Sequence, residues 1–253
     1  MATRLRLRFQ GQRSALLLKA FVFLIALWFA AASEGGFMPI LFFLGSASWA
    51  YLTPFENAAS HRFTFLALLI ASAIAISGTI HELWLILTAS IIAYGIFGLK
   101  ARYFVYRTRI HYFVNLALTY ATFFLFFISD RSQWFMPKLV LVGIAIFFSW
   151  REFFFAAREY EGSIQHLPHE GRAPRYETVL GAFFALIACE VAWTVSLLPL
   201  GAINAANLSF LAAFVMSDVL EKQITGNLSR RAILIAVTIA IFGTIFILGT
   251  SGW

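Results

Sequence analysis

The run ETVLGAFFALIACEVAWTVSLL, Glu177–Leu198, decides the fold. After its first residue it holds one charge, Glu190, in the stretch LIACEVAW, Leu186–Trp193. At about 1.5 Å per residue, a helix of this length crosses a hydrocarbon core about 30 Å thick. Similar apolar runs recur at Ser14–Ala32, Phe37–Thr53, Phe63–Ile80, Leu83–Leu99, Ile110–Ser129, Trp134–Trp150, Ala202–Met216 and Ala232–Thr250. They are continuously apolar rather than alternating, which excludes a strand-built barrel. The expectation is an all-α integral membrane protein of nine transmembrane helices, with residues 1–253 forming one transmembrane domain.

Composition agrees. Hydrophobic residues make up 61% and charged residues 12% of the 253 positions, against about 45–50% and about 25% in soluble domains. The net charge of +7 is scattered in short segments between apolar runs, so it forms no nucleic-acid-binding stripe. Cys189 is the only cysteine, so no intrachain disulfide can form. The basic start and the run Ser14–Ala32 resemble a secretory signal, but the run exceeds the about 7–15 apolar residues of a cleaved one. It reads as a retained first span.

Basic residues give the topology. With the N-terminus cytoplasmic, Arg4, Arg6, Arg8, Arg13, Arg62, Lys100, Arg102, Arg107, Arg109, Arg151, Arg158, Arg172, Arg175, Lys222, Arg230 and Arg231 fall inside. Only Arg131 and Lys138 fall outside, as the positive-inside rule favours. Trp253 then ends outside. The segment REFFFAAREYEG after Arg151 is expected to continue the sixth helix or to lie along the interface with Phe153–Phe155 towards lipid.

An internal repeat is also legible. FMPILFFLG, Phe37–Gly45, and FMPKLVLVG, Phe135–Gly143, open the second and sixth spans. Two parallel four-helix halves, 13–109 and 110–231, with 232–253 as an added helix, would account for this spacing. Hydrophobic composition and a Pro near a helix start account for it equally.

The repeat makes exceptions of two charges: Glu190 corresponds to Ser77, and Lys138 to Ile40. Intramembrane charges are costly and usually face protein or a watery cavity. Glu190 therefore reads either as a substrate or ion contact, or as a structural partner of Lys138. Asn204, Asn207, Trp193 and the hairpin pair His81–Glu82 complete an expected polar pocket in the outer half. Lys100, Arg102, Arg107 and Arg109, within LKARYFVYRTR, suit contact with anionic lipid. Asn115, Thr119 and Tyr120 read as interhelical hydrogen-bonding groups.

HLPHE, His166–Glu170, carries two His three apart, but Pro168 and its loop setting argue against a metal site. P-loop, nucleophile-elbow and HExxH patterns are missing, and no cofactor is expected. CEVAWTVSLLPLG (Cys189–Gly201), LEKQITGNLSRR (Leu220–Arg231) and the last apolar helix ending in Trp253 together resemble uncharacterised bacterial multi-spanning membrane proteins grouped as a domain of unknown function. That resemblance covers the last third and implies a bacterial cytoplasmic membrane, with no activity. Three functions stay open: handling a small solute or lipid, a non-catalytic scaffold or assembly factor, and a lipid-modifying membrane enzyme. The expected partners are membrane lipids, and a protein partner or second copy of the chain; nucleic acid is not among them.

Overall fold

The computed structural model describes residues 2–33, 36–53, 61–77, 83–101, 107–129, 135–162 and 175–251. Among them the chain is all-helical: α1 Ala2–Ala32, α2 Phe37–Leu52, α3 Arg62–Ser77, α4 Leu83–Lys100, α5 Arg107–Ile128, α6 Phe135–Gly162, α7 Arg175–Ser196, α8 Ala202–Ile224 and α9 Arg230–Thr250. Apolar side chains on these segments can be buried or face lipid, while helices satisfy the backbone internally. Six of the helices are long and apolar enough to cross a membrane, within α1, α5, α6, α7, α8 and α9. The apolar segments Phe37–Leu52, Arg62–Ile76 and Trp84–Lys100 are shorter.

Local chemistry sets several ends. At the end of α8, Gly226 takes φ 70°, which glycine adopts without strain. Its N–H donates to the Gln223 carbonyl at 3.3 Å, and the Asn227 N–H to the Lys222 carbonyl at 2.8 Å. Those two bonds occupy carbonyls that the helix end leaves open. Ser229 then starts α9, its side chain accepting from the Ala232 N–H at 3.2 Å, a standard N-cap. At the end of α2, Lys19 donates to the Thr53 carbonyl and Lys100 to the Tyr51 carbonyl. Two cations there suit the negative end of a helix dipole.

The structure extends α8 beyond its expected end and takes one of the two courses expected for the residues after Trp150. α8 runs on to Ile224 rather than stopping at Met216, and its added turns carry a Lys222–Asp218 ion pair at 2.6 Å. α6 runs on to Gly162. On that extension Phe153 and Phe154 are fully buried, and only Phe155 is exposed. The lipid-facing reading of Phe153 and Phe154 is thus corrected: helical periodicity turns them towards α5 and α7.

The core between α5, α6 and α7 is aromatic. Trp150 is fully buried, with its ring centroid 4.8 Å from Phe184, 5.5 Å from Phe153 and 5.9 Å from Tyr112. Its Nε1 donates to Thr119 Oγ1 at 2.9 Å, so the buried indole leaves no donor open. α6 and α7 approach closely at glycines. A Cβ on Gly143 would lie 2.7 Å from Cys189 Sγ, and one on Gly181 would lie 3.0 Å from Arg151 Cβ. Small residues let membrane helices pack in this way.

α1 packs on α2 and α4, and α5 packs on α6 and α8. α3, however, packs chiefly on α6. α9 packs on α8; among its described residues Ala236 alone is buried, while Leu234, Phe242, Ile245 and Phe246 are exposed. An apolar face of that extent suits lipid.

Candidate functional site

Several of the expected outer-half residues are among the described ones. Glu190 lies on the exposed surface of α7, with exposed Leu186 and Trp193 on the same helix. Lys138 is half-buried on α6. Cys189, the neighbour of Glu190, is the residue that faces α6, with Sγ 3.6 Å from the Leu139 carbonyl. Asn207 accepts a hydrogen bond from Tyr120 at 3.2 Å, tying α8 to α5. Asn204 is half-exposed and Trp193 exposed. His81, Glu82, Arg102 and the His166–Glu170 loop lie outside the described residues, as does the side chain of Arg107. Arg109 is exposed, whereas Lys100 is 2% exposed and turned inward. Its ammonium lies 4.1 Å from the Tyr51 ring centroid, at the end of α2.

The interhelical hydrogen bonds expected of Asn115, Thr119 and Tyr120 are present. Ser149 donates to Asn115 Oδ1 at 2.7 Å, alongside the Trp150–Thr119 and Tyr120–Asn207 bonds.

Among the described residues a polar cluster lies at the end of the bundle where α3 and α5 begin. His61 immediately precedes α3, His111 is on the first turns of α5, and Glu152 is on α6. One ligand atom from each lies within 4.8 Å of the others. Glu152 Oε2 accepts from the Thr64 N–H at 2.7 Å and from Thr64 Oγ1–H at 2.8 Å. Thr64 is on the first turn of α3, where N–H groups have no partner within the helix. A carboxylate from α6 therefore caps α3, favoured by the positive end of its dipole.

His111, 1% exposed, places Nε2 3.3 Å from Thr64 Oγ1. The imidazole tautomer sets which of these two atoms is the donor. The His61 and His111 rings meet edge to face, 4.8 Å between centroids. Phe153 closes the other side of His111 at 5.6 Å. His61 has φ 57°, a left-handed conformation that costs a non-glycine residue of order 1–3 kcal/mol and clusters at functional positions. Arg62 and Arg151 stand over the Phe63 ring at 4.8 and 4.6 Å. Arg151 Nε also donates to Thr178 Oγ1 at 3.0 Å, holding α7 to this end.

Sequence reading missed this cluster because each member adjoins a residue already explained. His61 precedes Arg62, His111 follows Arg109 by two, and Glu152 follows Arg151; all were absorbed into the basic flanks. The recurring signal was an ionisable residue beside an Arg at the same end of three different spans.

A second feature occupies the other end of the same helices. A narrow slot lies between α1, α3, α4 and α5, lined by Leu27, Leu68, Ala71, Ala75, Ile86 and Leu118 among others. Its two hydroxyls are occupied within their own helices: Ser72 donates to the Leu68 carbonyl at 2.9 Å and Thr88 to the Trp84 carbonyl at 2.8 Å. What remains is apolar. On α3, Thr64, Leu68, Ala71 and Ala75 fall on one helical face. The slot therefore continues the face that carries the cluster.

No family model, curated protein or solved structure matches the chain.

Proposed function

We propose that the protein crosses a membrane nine times, N-terminus cytoplasmic, and handles a lipid by taking its hydrocarbon chain into the slot between α1, α3, α4 and α5. The carrying observation is the apolar lining of that slot, whose Ser72 and Thr88 hydroxyls are bonded to their own helices. A polar solute would lose hydration there without replacement partners, whereas a lipid chain loses nothing. Under this topology the slot lies in the outer half and the His–Glu cluster at the inner end.

Two arguments support the topology. The basic residues are strongly one-sided, and the helices follow the expected order with short connections. The four-plus-four repeat is part of the same proposal. Phe37-Met38-Pro39 and Phe135-Met136-Pro137 each open a helix, and α1 and α5 have corresponding neighbours. The exchange of α3 onto α6 would then be a divergence of the first half.

Photo-crosslinking with a diazirine-bearing phospholipid tests the lipid reading. Labelling is expected on peptides of α3 and α4 above that on lipid-exposed α9, and Ala75→Phe, which fills the slot, should reduce it to the α9 level. Labelling equal on α3, α4 and α9, or unchanged by Ala75→Phe, would contradict lipid handling. Co-purification of one protein partner without retained lipid would instead favour a scaffold.

A further inference from the structure

We propose that His61, His111 and Glu152 bind one divalent transition-metal ion of the zinc class, with a fourth coordination position left open. The ligands come from three separate elements and converge within 4.8 Å, so folding rather than sequence proximity assembles them. Two imidazoles and one carboxylate suit zinc and its first-row neighbours. One carboxylate among nitrogen donors is a poor match for calcium or magnesium, which take mainly oxygen.

The surroundings hold the ligands in place. Thr64 anchors Glu152 Oε2 with two hydrogen bonds. Phe153 packs on His111, and His111 packs on His61. Such outer contacts orient ligands and raise affinity. Tetrahedral coordination with bonds of about 2.0–2.2 Å brings ligand atoms to roughly 3.3–3.5 Å of one another. The cluster must therefore contract by about an ångström, within the reach of side-chain rotation.

Charge defines the open position. Two neutral imidazoles and one carboxylate leave a divalent ion with one net positive charge, and Arg62 lies near enough to act on Glu152 electrostatically. An anionic oxygen, from hydroxide or a phosphate, is the chemistry that completes such a site. This inference concerns a different end of the bundle from the lipid slot and stands independently of it.

The test is a Co²⁺ titration of the chelator-stripped full-length protein in detergent, followed by visible absorption and zinc competition. One equivalent should bind, producing the intense ligand-field bands of a tetrahedral site. His61→Gln and His111→Gln should each weaken binding by more than about 100-fold, and Thr64→Val by about 10–100-fold. His61 is half-buried at a helix start, so its variant stays informative if the buried His111→Gln fails to fold. The double variant His166→Ala/His169→Ala should bind as the unsubstituted protein does. Absent stoichiometric binding, binding unaffected by His61→Gln, or binding lost in the His166/His169 variant would each overturn the assignment.

Discussion

Two carboxylates on neighbouring helices, Glu152 of α6 and Glu190 of α7, have opposite surroundings. Glu190 sits in the more apolar stretch and attracts attention first, yet its side chain is on the exposed surface. Glu152 is one of several charges at the end of a span, yet it holds the first turn of α3 and faces two histidines. The difference shows what gives a membrane carboxylate a task. Depth in an apolar run sets its cost, whereas the groups that converge on it from other helices set its use.

Substitutions can break or sharpen this contrast. The largest effect is expected at the platform beneath Glu152: Trp150→Ala should lower stability by about 3–5 kcal/mol, because it empties an aromatic core and strands Thr119. Unfolding in mixed micelles measures it. Next, Glu152→Ala leaves the Thr64 N–H and the α3 terminus without their acceptor, costing about 1–3 kcal/mol. The same assay should register Gly181→Ala as smaller, about 1 kcal/mol, at the mild end of overpacking; its new methyl would meet Arg151 Cβ at 3.0 Å. Smallest is Glu190→Gln, within about 0.5 kcal/mol as for other surface changes. A loss at Glu190→Gln equal to that at Glu152→Ala would erase the contrast.

The helices were legible because their signal is local. Runs such as Glu177–Leu198 and the breaks at Pro199–Gly201 mark elements without knowledge of their neighbours. Polar glue was legible for the same reason: an Asn or Thr inside an apolar run needs a partner on another helix, and Asn115 and Thr119 have one each. The extension of α8 was not, because Asp218 and Lys222 look like loop residues until an i,i+4 pair retains them. The His–Glu cluster was least legible. Thr64 and Glu152 are 88 positions apart and Thr64 and His111 are 47 apart. Nothing in their spacing indicates that α3 leaves α2 to pack on α6.

The central claim is that Glu152 works through a specific bond to the start of α3, and a double-mutant cycle on Thr64→Val and Glu152→Gln measures that bond. Residues in direct contact show coupling of about 0.5–3 kcal/mol, whereas distant ones add. The account predicts coupling of about 1 kcal/mol or more for this pair in detergent unfolding. Strict additivity of the two substitutions would contradict it.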